Sequence, residues 1–263
     1  MLDNLLQWDL QALLAINGVH APFWDHFMWL FTGKWIWIPM YASILFVLLK
    51  NFSLRYTILA VIAIALTITF ADQVCATLIR PQVQRSRPSR LGPLIQENNE
   101  KSIRLMEALG QLKDKNGQYP IEKIRLHERK PGDFYRGGKY GFPSCHASNS
   151  FALAFFLLLF FKKRGLSLFI LLWAALNSYS RAYIGVHFPG DLLAGMVIGL
   201  TGALLLYSLL RRVSRQSWTS PVFGTEQEKQ LIFQPEKLRF SGIIIYTGLA
   251  TLVFILLYSW YQL

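Results

Sequence analysis

Six apolar stretches constrain what this chain can fold into more than any other feature. They cover residues 35–49, 56–79, 146–161, 166–179, 191–210 and 241–258, with polar or basic connections between them. Inside hydrocarbon every backbone N–H and C=O must be satisfied within the protein, which leaves only helices and closed barrels. Uninterrupted runs of this length suit helices, which need roughly 20 residues to cross a bilayer. Hydrophobic residues make up 53% of the chain, well above a soluble globule with comparable loops. The expected fold is all-α: a polytopic membrane helix bundle of about six transmembrane helices, forming a single domain over residues 1–263.

The flanking segments complete this outline. Leu2, Leu5, Leu6, Leu10, Leu13 and Leu14 recur at helical spacing, so an N-terminal amphipathic helix is expected within an interfacial segment, 1–33. No basic residue precedes it in Met1-Leu2-Asp3-Asn4, so a cleaved signal peptide is not expected. The first span is short, and Phe27 to Phe31 are expected to lengthen it. His20 and His26 read as interfacial or core residues. Residues 80–142 form a long basic loop, with a short helix expected at its centre, Asn98 to Leu112, and a lid as its expected use. Residues 241–261 hold the last span.

Net charge is +12, but much of it lies in loops beside lipid, so no nucleic-acid partner is expected. Compact basic clusters, Lys162-Lys163-Arg164 and Arg211-Arg212, mark one side of the membrane. Short loops rich in Lys and Arg stay in the cytoplasm, whereas long loops count little in that rule. The opposite side, which receives the 80–142 loop, is expected to face the periplasm or outside, with the protein in the cytoplasmic (inner) membrane as a multi-pass protein.

Three polar islands at the ends of spans carry the chemistry. The third is the richest: Ser180 and Arg181, then His187 and Asp191, between two apolar runs. Ionisable groups so placed cost about 2.5–3.5 kcal/mol each on insertion scales, so they face a cavity or a partner. Asp191 follows His187 by four residues and can hold one ring nitrogen, leaving the other free as a nucleophile. A helix-end anchor at the headgroup level is the plainer reading of that pair alone. The second island is Pro143-Ser144-Cys145-His146, a helix start with Ser144 as N-cap and N–H groups suited to an anion. The first is Arg80-Pro81-Gln82-Val83-Gln84-Arg85-Ser86-Arg87-Pro88, basic enough for phosphate and equally suited to an interfacial anchor.

Taken together, the three islands resemble the tripartite signature of the type 2 phosphatidic acid phosphatase family, whose active site is shared with vanadium haloperoxidases. That signature reads Lys-x6-Arg-Pro, Pro-Ser-Gly-His and Ser-Arg-x5-His-x3-Asp. The third part is complete here from Ser180 to Asp191, while Cys145 replaces the usual glycine and Arg80 the usual lysine. Arg80 keeps the charge but exchanges a point charge for a planar fork. Cys145 beside His146 is disfavoured as a nucleophile, because adjacent helical residues do not face each other.

The resemblance implies a metal-independent membrane phosphatase acting on a lipid phosphate or diphosphate through a phosphohistidine intermediate, with no cofactor. It implies His187 as nucleophile, Asp191 as its partner and His146 as acid, with Arg80, Arg87, Ser144, Cys145 and Arg181 gripping the phosphate. Undecaprenyl diphosphate, lipid A phosphate, phosphatidylglycerol phosphate and phosphatidic acid all remain open as substrates. The alternatives are a catalytically inactive lipid-binding or lipid-transport protein of the same fold, and a haloperoxidase. The complete His187, Asp191 and His146 set speaks against the first and the membrane spans against the second. Asp72 is expected to orient a motif arginine or to be a buried partner, and Cys75 and Cys145 are expected to be free thiols.

Overall fold

The computed structural model describes residues 2–91, 124–215 and 238–263. Its helices are α1 (Leu2–Asn17), α2 (Pro22–Phe31), α3 (Ile38–Asn51), α4 (Leu54–Gln73), α5 (Arg80–Val83), α6 (Cys145–Phe161), α7 (Arg164–Tyr183), α8 (Pro189–Arg215) and α9 (Gly242–Tyr261). A two-stranded hairpin, β1 (Glu128–Lys130) with β2 (Asp133–Phe134), is the only sheet among the described residues. The fold is therefore an all-α membrane bundle, as expected. The expected helix Asn98 to Leu112 lies outside the described residues.

By length and apolarity, three stretches can each cross a bilayer: Leu54–Val83, Pro189–Ser214 and Gly242–Tyr261. A fourth follows if α2 and the stretch Trp35–Asn51 are taken as one broken span. Those two meet at a 70° bend, so Phe27 to Phe31 do not extend the first span in a straight line. The turn Thr32–Lys34 breaks it, with the Gly33 N–H closing onto the Leu30 carbonyl at 2.9 Å.

Helix α6 has only 17 residues but is apolar on every side, which marks a helix enclosed by others. It packs chiefly on α8, α7 and α4, and Phe156, Phe161 and Leu157 are buried. Between helices in lipid there is little hydrophobic drive, so close van der Waals packing through small residues holds the bundle. Gly195 and Gly199 of α8 serve this purpose. A Cβ on Gly195 would stand 2.5 Å from the Ser144 carbonyl oxygen, and one on Gly199 2.6 Å from that of Ser148. The outward faces carry Ile58, Ile62, Leu66, Leu193, Val197 and Leu205, all exposed in the isolated chain as a lipid-facing belt requires.

Both ends of the bundle are stitched by polar contacts. At the end away from the motifs, the Asn51 side chain donates to the Arg239 carbonyl (2.9 Å) and accepts from its N–H (2.8 Å), tying α9 to α3. Lys163 donates to the Leu238 carbonyl at 2.7 Å. At the motif end, Asn149 of α6 donates to Asp72 of α4 at 2.9 Å. Asp72 is thus a partner in helix packing.

Candidate active site

Each island takes its position from the local backbone. After α4 the chain widens into a π-turn over Val74–Ile79 before α5, a form frequent at functional sites. Gln84 then adopts a left-handed conformation (φ 52°) and ends the helix. Beyond it the chain is extended: Ser86 bridges Tyr140 antiparallel, and the Gly141 N–H donates to the Arg85 carbonyl at 2.8 Å. In an extended segment residues two apart share a face, and Arg85 and Arg87 both turn toward the third island.

The second island begins α6. Ser144 is extended and its hydroxyl accepts from the Ala147 N–H at 3.4 Å, while its own N–H donates to the Asp191 carbonyl at 2.9 Å. That bond joins the second island to the third. Helix geometry leaves the first-turn N–H groups, including those of Cys145 and His146, without intrahelical acceptors. Cys145 and Cys75 are free thiols, and the Cys75 thiol donates to the Pro143 carbonyl at 3.2 Å.

The third island turns between α7 and α8. His187 is 1% exposed, with Nδ1 3.2 Å from Asp191 Oδ2 and Nε2 2.7 Å from the Arg87 guanidinium. A guanidinium can only donate, so Nε2 carries the lone pair and Nδ1 the hydrogen. Burial, then Arg87, Arg181, Arg80 and Arg85, hold the His187 ring well below its usual basicity, so it is neutral. Arg87 also donates to the carbonyls of Tyr140 (3.1 Å) and Val186 (3.2 Å). Burial and the neighbouring Arg181 and Arg80 lower its pKa to about 10. Guanidinium groups crowded in this way are relieved by an incoming dianion.

Arg181 donates to the Thr32 hydroxyl (3.2 Å) and to the Tyr135 hydroxyl (3.1 Å). Arg80 donates to the Pro143 carbonyl at 2.8 Å. His146 Nε2 lies 3.1 Å from both the hydroxyl and the carbonyl oxygen of Thr32. Since the carbonyl can only accept, that nitrogen carries a hydrogen. His146 also lines a cavity of about 440 Å³ that runs among apolar side chains of α3, α4, α6 and α7, including Tyr41, Ile44, Ile64, Leu153 and Trp173.

The structure thus gathers His187, Asp191, Arg87, Arg80, Arg181, Ser144, Cys145 and His146 at one end of the bundle. His146 is turned toward Thr32, beside Arg181. Sequence reasoning missed Asp9, Thr32 and Tyr135, and read Arg85 only as one of the basic residues of the first island. Arg85 donates to Asp191 at 2.9 Å and to Asp9 of α1 at 2.6 Å. A signal existed for Asp9: it sits between Leu6 and Leu13 on the face of α1 that turns inward, an odd place for a carboxylate. His20 and Asp25 pair at 2.6 Å beside Tyr183, outside this cluster.

A family model described as the PAP2 superfamily matches residues 58–215. The chain belongs to that superfamily. Among PAP2 relatives, the lipid A 4'-phosphatase of Bacteroides thetaiotaomicron is 45% identical over 260 residues, covering 98% of each chain. The lipid A 4'-phosphatase of Porphyromonas gingivalis is 29% identical, over 79% of this chain and 75% of its own. The crystal structure of Aquifex aeolicus LpxE aligns with a TM-score of 0.46 and 20% identity, covering 76% of this chain and 94% of that one.

Proposed function

We infer that this phosphatase removes a phosphate monoester from a lipid headgroup, with a lipid A 4'-phosphate as the favoured substrate and a phosphohistidine as intermediate. The end-to-end 45% identity to a lipid A 4'-phosphatase carries the substrate reading. The chemistry is supported by the neutral His187 ring, whose Nε2 lone pair is presented among Arg80, Arg87 and Arg181.

Phosphate entering this ring of guanidinium groups draws the Arg87 fork away from Nε2 and onto its oxygens. Nε2 then attacks phosphorus as the ester P–O bond breaks, and Asp191 stabilises the positive charge that develops on the ring. His146, entering the step as an imidazolium, gives its proton to the departing sugar alkoxide. Water next attacks the phosphohistidine and passes a proton back to His146, inorganic phosphate leaves, and Nε2 regains its lone pair. Arginines supply the charge stabilisation that phosphoryl transfer requires, so the residues present suffice without a metal. The apolar cavity on which His146 opens, about 440 Å³, is suited to one acyl chain and would keep the headgroup at the bilayer surface.

The test is phosphate release by purified protein in detergent from lipid A phosphorylated at both ends, compared with undecaprenyl diphosphate, phosphatidylglycerol phosphate and phosphatidic acid. Loss of the 4'-phosphate alone from lipid A, faster than from the others, is expected. A preference for another lipid overturns the substrate reading, and no release from any overturns the reaction.

The basic turn Lys162-Lys163-Arg164 at the far ends of α6 and α7 supports an outward-facing site. In a background lacking native cysteines, an impermeant thiol reagent should label Lys130→Cys in intact spheroplasts and Gly165→Cys only after lysis. The opposite pattern reverses the orientation.

A further inference from the structure

We propose that Asp9 and Arg85 are positioning residues of the reaction: together they fix the Asp191 carboxylate and thereby set how basic His187 Nε2 is, making the N-terminal helix part of the catalytic apparatus. The proposal rests on the reading of His187 as nucleophile.

Asp191 is fully enclosed, and an enclosed carboxylate needs every acceptor position answered. Its Oδ2 takes the His187 Nδ1–H at 3.2 Å and the Phe188 N–H at 3.1 Å. Its Oδ1 takes one arm of Arg85 at 2.9 Å. The other arm of Arg85 donates to Asp9 Oδ2 at 2.6 Å, and Asp9 Oδ1 accepts the Gly190 N–H at 2.7 Å. The chain of contacts is therefore closed: Asp9 holds both the guanidinium that grips Asp191 and the backbone just before it. Arg85 also lies over the Phe188 ring, 4.1 Å from its centre. Its side chain and that of Asp9 are each only 12% exposed.

This geometry separates Arg85 from Arg87, two residues away. Arg87 donates to the nucleophile's lone pair and can turn to a phosphate. Both terminal nitrogens of Arg85 are committed to carboxylates, so it can act on the reaction only through Asp191. Gly190 is part of the device, because a Cβ there would meet Asp9 Oδ2 at 2.8 Å.

The charges have opposite signs, and so do the expected effects. The groups acting on the His187 charge are Asp191, Arg87, Arg181, Arg80 and Arg85, with His146 across the site. Removing the negative charge of Asp9 leaves Arg85 to draw more strongly on Asp191, so the imidazolium is less well stabilised and Nε2 becomes less basic. Removing the positive charge of Arg85 does the reverse.

The experiment is the pH profile of kcat/KM, with kcat and KM separated, for Asp9→Asn and Arg85→Gln in the full-length detergent-solubilised protein, with His187→Ala as control. The acid limb of Asp9→Asn should move to lower pH and that of Arg85→Gln to higher pH, each by about half to one pH unit. For Asp9→Asn, kcat should fall roughly tenfold while KM changes less than about twofold, the pattern of a lost transition-state contribution. Should Asp9→Asn not accumulate in the membrane, Gly190→Ala displaces the Asp9 carboxylate with every charge retained, and its acid limb should also move to lower pH. Unmoved limbs, or limbs moving in the same direction, reduce the pair to an anchor for α1 and overturn the proposal. An active His187→Ala instead overturns the nucleophile reading on which it rests.

Discussion

The two imidazoles of the site are held by opposite means. His187 is enclosed among charges: a carboxylate on one nitrogen, a guanidinium on the other, and a second carboxylate and guanidinium behind the first. His146 is held by neutral groups, the hydroxyl and carbonyl of Thr32 and the Asn177 side chain, at the edge of an apolar cavity. The difference matches the two tasks proposed for these rings, nucleophile and acid. A nucleophile needs a fixed ring and a lone pair kept neutral until phosphorus arrives, and this demands a rigid ionic frame. An acid must reach the leaving group where headgroup meets hydrocarbon, so a lighter tether serves it better.

Changing the leaving group tests that contrast most severely. His187→Ala should lower turnover by about 10⁴-fold or more on every substrate, since without the nucleophile no intermediate forms. His146→Ala should cost about 10²–10³-fold on the lipid but far less on p-nitrophenyl phosphate, whose leaving group needs no proton. Equal losses on both substrates would remove the division of labour. The next effect down concerns the first island. Arg80→Ala should lower kcat/KM by about 10²-fold, while Arg80→Lys, which restores the charge without the fork, should lose only about tenfold. An unimpaired alanine variant would take Arg80 out of the phosphate grip.

Leu153→Trp sharpens the comparison from the hydrocarbon side. Leu153 is 7% exposed and lines the cavity beside His146, so a larger ring there should raise KM for the lipid about tenfold. Hydrolysis of p-nitrophenyl phosphate should hardly change, and a parallel loss on both substrates would detach the cavity from substrate binding. The smallest expected effect is that of EDTA, which should leave activity as it was, while vanadate should inhibit by taking the five-coordinate geometry of phosphorus. Loss in EDTA, restored by added zinc or magnesium, would show that a metal supplies what is here given to the arginines.

The islands were legible because their residues fall in fixed order at the ends of apolar runs, and the all-α bundle because such runs leave the backbone one economical solution in lipid. What escaped notice depends on meetings between distant segments. Asp9 and Arg85 meet across 76 positions and Thr32 and His146 across 114, distances over which periodicity says nothing. Asp9 on the apolar face of α1 is a carboxylate whose partners come into view only with α8 packed beside it. Three arginines ending a span look equivalent until the backbone gives two of them different neighbours. The 70° bend after α2 falls on the interruption Thr32-Gly33-Lys34, which reads in the sequence as a gap within one span, while Thr32 leaves the helix there to meet His146.

The contact between α6 and α8 at Gly195 and Gly199 has its own bearing on the chemistry. The Ser144 carbonyl that a side chain on Gly195 would strike belongs to the residue whose N–H reaches Asp191. The distance from the start of α6 to the acid behind His187 is therefore set by two missing side chains. Neither glycine approaches a reacting atom, yet a methyl group on either would wedge the frame apart at its hinge side. A survey that ranks positions by the reactivity of what they carry would pass over both. In this bundle the tolerance of the active site is held by what the sequence leaves out.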